Sequence, residues 1–157
     1  MSVRTLAPIL ILVLCVLIGC KDTSADAQTS ALTPITIQTI DGKTITLNVE
    51  LATTPEQQQK GLMFRETLSD ESGMLFMFNT PREIGFWMKN TLIPLDMIFI
   101  APTSGIIHKI HRNAIPHDLR SIASDGITKA VLEINGGLSD RLGIIEGSKV
   151  ILPDEAQ

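Results

Sequence analysis

Residues 86–96 carry the densest chemistry of the chain: Phe86-Trp87-Met88-Lys89-Asn90, and then Asp96. Trp87 is the only tryptophan. On a strand, Trp87 and Lys89 would share one face, and Phe86, Met88 and Asn90 the other. Asp96 opens an apolar run and falls on the Ile98 and Ile100 side. Glu133 sits in the equally apolar Val131-Leu132-Glu133-Ile134. A carboxylate in such a place needs a partner, a hydrogen bond or a rim position. Arg65 and Lys89 are natural partners. Together Arg65, Trp87, Lys89, Asn90, Asp96 and Glu133 sketch a polar ligand pocket beside an aromatic platform, suited to a small molecule or sugar. The same residues also fit a structural ion pair and a tryptophan that fills the core.

Two other chemistries use overlapping residues. Asp96 and Glu133 are two carboxylates, the minimum for a glycoside hydrolase acid and base, provided they stand across a cleft at ~5–9.5 Å. Met63, Met74, Met77, Met88 and Met97 are soft thioethers, of interest for copper handling. Methionine is equally a gap filler in cores, and Met74 and Met77 alternate to opposite faces. His108 and His111 also face opposite ways on a strand, which argues against a shared zinc. No Gly-rich phosphate loop and no Gly-x-Ser-x-Gly elbow is present. No metal, cofactor or catalytic set is assigned.

The elements that would hold these groups are short strands. Ile35–Leu51 alternates like a hairpin around Asp41-Gly42. A two-residue loop would throw the apolar sets onto opposite faces. A three-residue loop, Ile40-Asp41-Gly42, pairs Ile37 with Ile45 and Ile35 with Leu47, and gives Gly42 the left-handed position. Thr54-Pro55-Glu56 opens a helix that runs to about Lys60 and stops at Gly61. Strands are expected at 73–78, 85–89, 95–101, 105–111, 129–135 and 150–152. A helical turn is expected at Leu138–Leu142, and a long loop at 112–128. This is a mainly β chain, a compact sandwich or small barrel with one or two short helices. Residues 34–153 form its single domain.

The chain has 157 residues, 44% of them hydrophobic, and a net charge of −4. An acidic chain with no Lys/Arg run is a poor nucleic-acid binder. Arg4 followed by the apolar Leu6–Ile18 has the order of a secretory signal, too short for a permanent membrane span. Leu17-Ile18-Gly19-Cys20 resembles a bacterial lipobox, so residues 1–19 are expected to be a lipoprotein signal peptide, with Cys20 lipidated. Cys15 would leave with the signal, and the mature chain would hold no free thiol or internal disulfide. Residues 20–33 are small and polar, and are expected to be a flexible tether. Lys21 rather than Asp after Cys20 favours the outer membrane, facing the periplasm, over inner-membrane retention. The expected partners are the membrane through the lipid, and a small molecule, glycan or envelope protein, but no nucleic acid.

Gly61-Leu62-Met63 with Arg65, Gly73-Met74-Leu75-Phe76 with Phe78, Phe86-Trp87-Met88-Lys89-Asn90-Thr91, Ile93-Pro94-Leu95-Asp96 and Val131-Leu132-Glu133 with Gly137 form an ordered set. From Gly61 to Leu152 the chain resembles the domain of unknown function 192 family. The resemblance implies a compact, mostly β, jelly-roll-like fold and assigns no activity. The leading expectation is therefore a non-enzymatic binding module of the cell envelope. The rivals are a polysaccharide hydrolase or lyase acting through Asp96 and Glu133, and a methionine-based copper-handling lipoprotein.

Overall fold

The structure, a computed structural model, describes Met1 and residues 32–153. The signal peptide, Cys15, Cys20 and nearly all of the tether lie outside the described residues. The first strand, β1, spans Leu32–Gln38, so it begins inside the segment expected to be tether. It pairs antiparallel with β2, Thr44–Ala52.

The register is Ile37 with Ile45 and Ile35 with Leu47, with Gly42 at φ +85°. The loop closes as Thr39 N–H donates to the Lys43 carbonyl at 2.9 Å. This is the three-residue solution. It wins because it puts Ile35, Ile37, Leu47 and Val49 on one buried face, whereas a one-residue slip would divide them between two faces.

Helix α1, Pro55–Lys60, starts with a full capping box between Thr54 and Gln57. It carries the chain over to β3, Ser72–Arg82, which lies parallel to β2. There follow β4 (Gly85–Phe86), β5 (Leu95–Ile100), β6 (Ile107–Ala114), β7 (Ile122–Ala123) and β8 (Thr128–Asn135). Helix α2, Leu138–Leu142, and β9, Lys149–Ile151, complete the order. Seven strands form one curled sheet in the order β6-β5-β8-β3-β2-β1-β9, and β4-β7 is a separate small ribbon. Ile106 bridges Lys149, so the two ends of the sheet meet at one corner.

Two expected elements come out differently. Residues 85–89 are a strand only at Gly85–Phe86; Trp87, Met88 and Lys89 belong to a loop. The segment 112–128 contains the end of β6 and all of β7 rather than loop alone. The β4–β7 pairing joins segments far apart in the chain, Gly85 with Ala123, and the end of β6 continues its pairing along β5, Ala114 with Leu95; local pattern reveals neither.

The curl gives the sheet two apolar faces. The concave face packs Ile35, Ile37, Leu47, Leu75, Ile98 and Leu132 into the main core. The convex face is covered by loops and packs Leu62, Phe76, Met88, Met97, Phe99 and Val131 into a second core. Both β3 and β5 are therefore buried on both faces, which explains their near-continuous apolar sequences. The methionines divide accordingly. Met77 lies in the concave core, Met74, Met88 and Met97 lie in the convex one, and Met63 lines a cavity beside Glu133, so the five methionines do not share one face.

Candidate functional site

The site lies on the convex face and follows from strand register. Two rows of side chains cross the sheet there. One row reads Glu50, Met74, Glu133, Met97 and His111 across β2, β3, β8, β5 and β6. The next reads Ala52, Phe76, Val131, Phe99 and Lys109. Phe86 caps the second row edge-on, 5.1 Å from Phe76 and 6.2 Å from Phe99 between ring centroids.

Glu133 thus has methionines on both sides and no donor adjacent to it in its row. No hydrogen bond or ion pair reaches its carboxyl among the described residues. The residue is 4% exposed, and its oxygens open onto a cavity of about 480 Å³. Burial alone pushes its pKa up to about 8. At neutral pH this carboxyl keeps its proton and offers the cavity one donor and one acceptor.

The cavity walls are Leu62, Met63, Phe76, Phe78, Phe86 and Trp87, with Gln58 and Thr91 as further polar groups. Gln58 is held by its Nε2, which donates to the main-chain oxygens of Met77 (2.7 Å) and Ala52 (3.2 Å). Lys60, Arg82 and Glu83 are exposed lining residues. Arg82 sits over the Phe78 ring at 4.9 Å. Trp87 is 49% exposed, and Lys89 Nζ lies 5.1 Å above its ring.

The loop carrying Trp87 is held by its backbone. Phe64 N–H donates to Asn90 O (2.8 Å), Met88 N–H to Asp118 O (2.8 Å) and His117 N–H to Thr91 O (3.2 Å). Met88, fully buried beneath the loop, pins it to the convex core.

Of the six residues expected to share a pocket, the structure brings Trp87 and Glu133 to the cavity. Lys89 stacks on Trp87 from the solvent side. Asn90 shapes the loop: it takes φ +56°, a region asparagine tolerates, and its amide lies 3.9 Å from Met63 Sδ. Arg65 pairs with Glu50 through two contacts, 2.6 and 3.0 Å, rather than with Asp96.

Asp96 stands elsewhere. It is opposite Ile134 in the register, on the concave face, while Glu133 is opposite Met97 on the convex face. Its oxygens accept from the N–H groups of Asn113 (2.8 Å), Gly137 (2.9 Å) and Ser139 (3.0 Å), and from the Ser139 hydroxyl (2.5 Å). Burial pushes its carboxyl up, but these four donors outweigh that and hold it below its ordinary value. Asp96 is a fixed anion that caps α2 from a neighbouring strand. The carboxylate pair expected of a hydrolase or lyase therefore shares no cleft.

The lining residues Gln58, Lys60, Phe78, Arg82 and Phe86 were not anticipated. The only local hint was Gly61, which ends α1 at the cavity wall. Its φ of +48° and ψ of −136° suit glycine alone, and an added Cβ would lie 3.2 Å from Phe76 Cζ. Gly61→Ala is expected to lower stability by about 1–3 kcal/mol, read as a shifted urea midpoint. An unchanged midpoint would show that α1 ends without that constraint.

The family described as uncharacterized ACR, domain of unknown function 192, matches residues 36–152. The chain belongs to this family. Its members' domain therefore takes in hairpin β1–β2 as well as the stretch from Gly61 onward. Two solved structures are similar. One, from Sinorhizobium meliloti 1021, is provisionally described as a transcription regulator. It is 43% identical, with a TM-score of 0.75, over 78% of this chain and 94% of that one. The other, from Novosphingobium aromaticivorans DSM 12444, is described as a protein of unknown function. It is 46% identical, with a TM-score of 0.74, over 77% of this chain and 85% of that one. No curated protein matches this chain.

Proposed function

We propose that this protein is a lipid-anchored binding module of the cell envelope that takes a small ligand into the convex-face cavity. The observation that carries the reading is the unpartnered, buried Glu133 carboxyl opening into an aromatic-walled space of about 480 Å³. That volume is within the range of small-molecule sites, and a few fixed polar groups in an apolar wall are their usual composition. No protein side chain takes up the hydrogen bonds of this carboxyl, so it offers them to whatever occupies the cavity.

A nucleic-acid role, suggested by the description of the Sinorhizobium protein, has less support. Many of the basic side chains already sit in ion pairs, Arg112 with Asp140 and Glu146 and Arg120 with Asp118 among them. The net charge is −4.

The test is fluorescence. Trp87 is the single built-in probe and lines the cavity. Titration of the full chain with metabolites and envelope glycans is expected to give a saturable shift for one ligand class; calorimetry, which a second tryptophan does not disturb, is expected to show that binding lost in Phe78→Trp, whose larger ring fills the wall. A spectrum insensitive to every compound, confirmed by calorimetry, would end the binding reading. The anchor is tested separately. Cys20→Ser is expected to abolish labelling by radioactive palmitate and to move the protein out of the membrane fraction. Retained labelling would rule out Cys20 as the acceptor.

A further inference from the structure

We infer that the ligand is an apolar molecule with two distinct polar ends: a neutral hydrogen-bond acceptor that meets Glu133 at the buried end, and an anionic group that meets Lys60 and Arg82 at the outer end. This inference rests on the binding reading and names the ligand class for the same cavity.

The buried end follows from geometry. Glu133 projects from the middle of β8 with Met74 and Met97 beside it, and neither offers a hydrogen-bond donor. With neighbouring strands ~4.8 Å apart, the Glu50–Arg65 pair lies two strands away on one side, and His111 lies two strands away on the other. Neither is placed to neutralise Glu133. An anionic ligand group pushed against it would be unsolvated and uncompensated, and a cationic one would first have to drive off the proton that burial holds there. A carbonyl or ether oxygen is the group that satisfies a protonated carboxyl in this position, and its raised pKa keeps the proton in place at neutral pH.

The outer end follows from charge. Lys60 ends α1 and Arg82 ends β3; both line the cavity, and neither has an ion-pair partner among the described residues. Glu83 is the one acidic side chain among the exposed lining residues. The excess of positive charge at the outer wall selects for an anion. The aromatic rings between the two ends accept a flat or aliphatic body.

Three matched compounds test this on the full chain, followed by Trp87 fluorescence and calorimetry at pH 7. 4-Acetylbenzoate has both ends, 4-ethylbenzoate lacks the inner acceptor, and 4-methylacetophenone lacks the anion. We expect 4-acetylbenzoate to bind roughly tenfold more tightly than either of the others, the ratio set by about 1.4 kcal/mol. Glu133→Leu should erase its advantage over 4-ethylbenzoate, and Glu133→Gln, which still donates, should keep it. Lys60→Ala combined with Arg82→Ala should erase its advantage over 4-methylacetophenone. Above pH 8, binding of 4-acetylbenzoate should weaken in the parent chain and not in Glu133→Gln.

Equal affinity for 4-ethylbenzoate would overturn the buried acceptor, and equal affinity for 4-methylacetophenone the outer anion. If all three fail while a compound from the wider panel binds, the ligand class named here is wrong and the binding module stands. If nothing binds at all, both fall.

Discussion

Asp96→Ala is expected to cost the protein about 4 kcal/mol, the largest loss of any single polar substitution in the domain. The residue is fully buried, and its two oxygens take all four hydrogen bonds offered by Asn113, Gly137 and Ser139. Removal leaves three main-chain N–H groups and a hydroxyl without an acceptor. It also strips α2 of its cap, because Gly137 has no side chain to supply one. Asp96→Asn should be intermediate, since one amide oxygen replaces two carboxylate oxygens. Urea denaturation of the three proteins measures this. A loss under about 1 kcal/mol for Ala would show that solvent or neighbouring groups take over the donors.

The pH dependence has a definite sign. The folded value of Asp96 is lowered, so its stabilisation is complete above the ordinary carboxylate range and disappears as pH falls through the folded value. Acid denaturation of Asp96→Asn should accordingly show a shallower acid limb than that of the parent chain.

Glu133→Gln is expected to do the opposite and stabilise the protein at alkaline pH. The Glu133 pKa rises from an ordinary 4.5 to about 8 on folding because burial disfavours the anion and nothing offsets it. The folded chain therefore holds a proton that the unfolded chain has lost. Stability is greatest below the ordinary carboxylate value. It falls by roughly 1.4 kcal/mol per pH unit as pH rises from there to about 8, and then levels off. Glutamine is close in shape and carries no charge, so it should remove this slope and gain several kcal/mol relative to the parent at pH 9. Thermal melts of both proteins from pH 5 to pH 9 decide it. Parallel curves would mean that Glu133 ionises at an ordinary pH in the folded protein, and the cavity would lose its internal proton donor.

These two carboxylates sit on adjacent strands, one residue out of step, and behave in opposite ways. Asp96 is an anion because four donors surround it. Glu133 is a neutral acid because its neighbours are two thioethers. Neither state reflects the residue type; each reflects what the register puts beside it. This also separates the cavity from the hydrolase and lyase readings. Their two carboxylates face opposite sides of the sheet, and the cavity keeps only one of them.

The sequence by itself determined the local pieces. Alternation in Ile35–Leu51 and the Asp41-Gly42 pair fixed the hairpin register, because a single-residue slip would divide its apolar face. Thr54, Pro55 and Gly61 fixed both ends of α1, since caps act within a few residues of the helix they end. Continuous apolar runs marked β3 and β5 as covered on both sides. Alternation also placed Asp96 with Ile98 and Ile100, which is the face it occupies. Only the tertiary structure decided how the strands meet. Had β5 slid by one residue along β8, Asp96 would stand opposite Glu133 on one face; the observed pairing of Met97 with Glu133 sends them apart. The donors to Asp96 come from residues 17 to 43 positions away, and the cavity over Glu133 is closed by α1, the end of β3 and the loop of Trp87. Side-chain periodicity is a property of one strand. The partners that set a buried group's charge come from other strands, and their spacing in the chain carries no trace of that meeting.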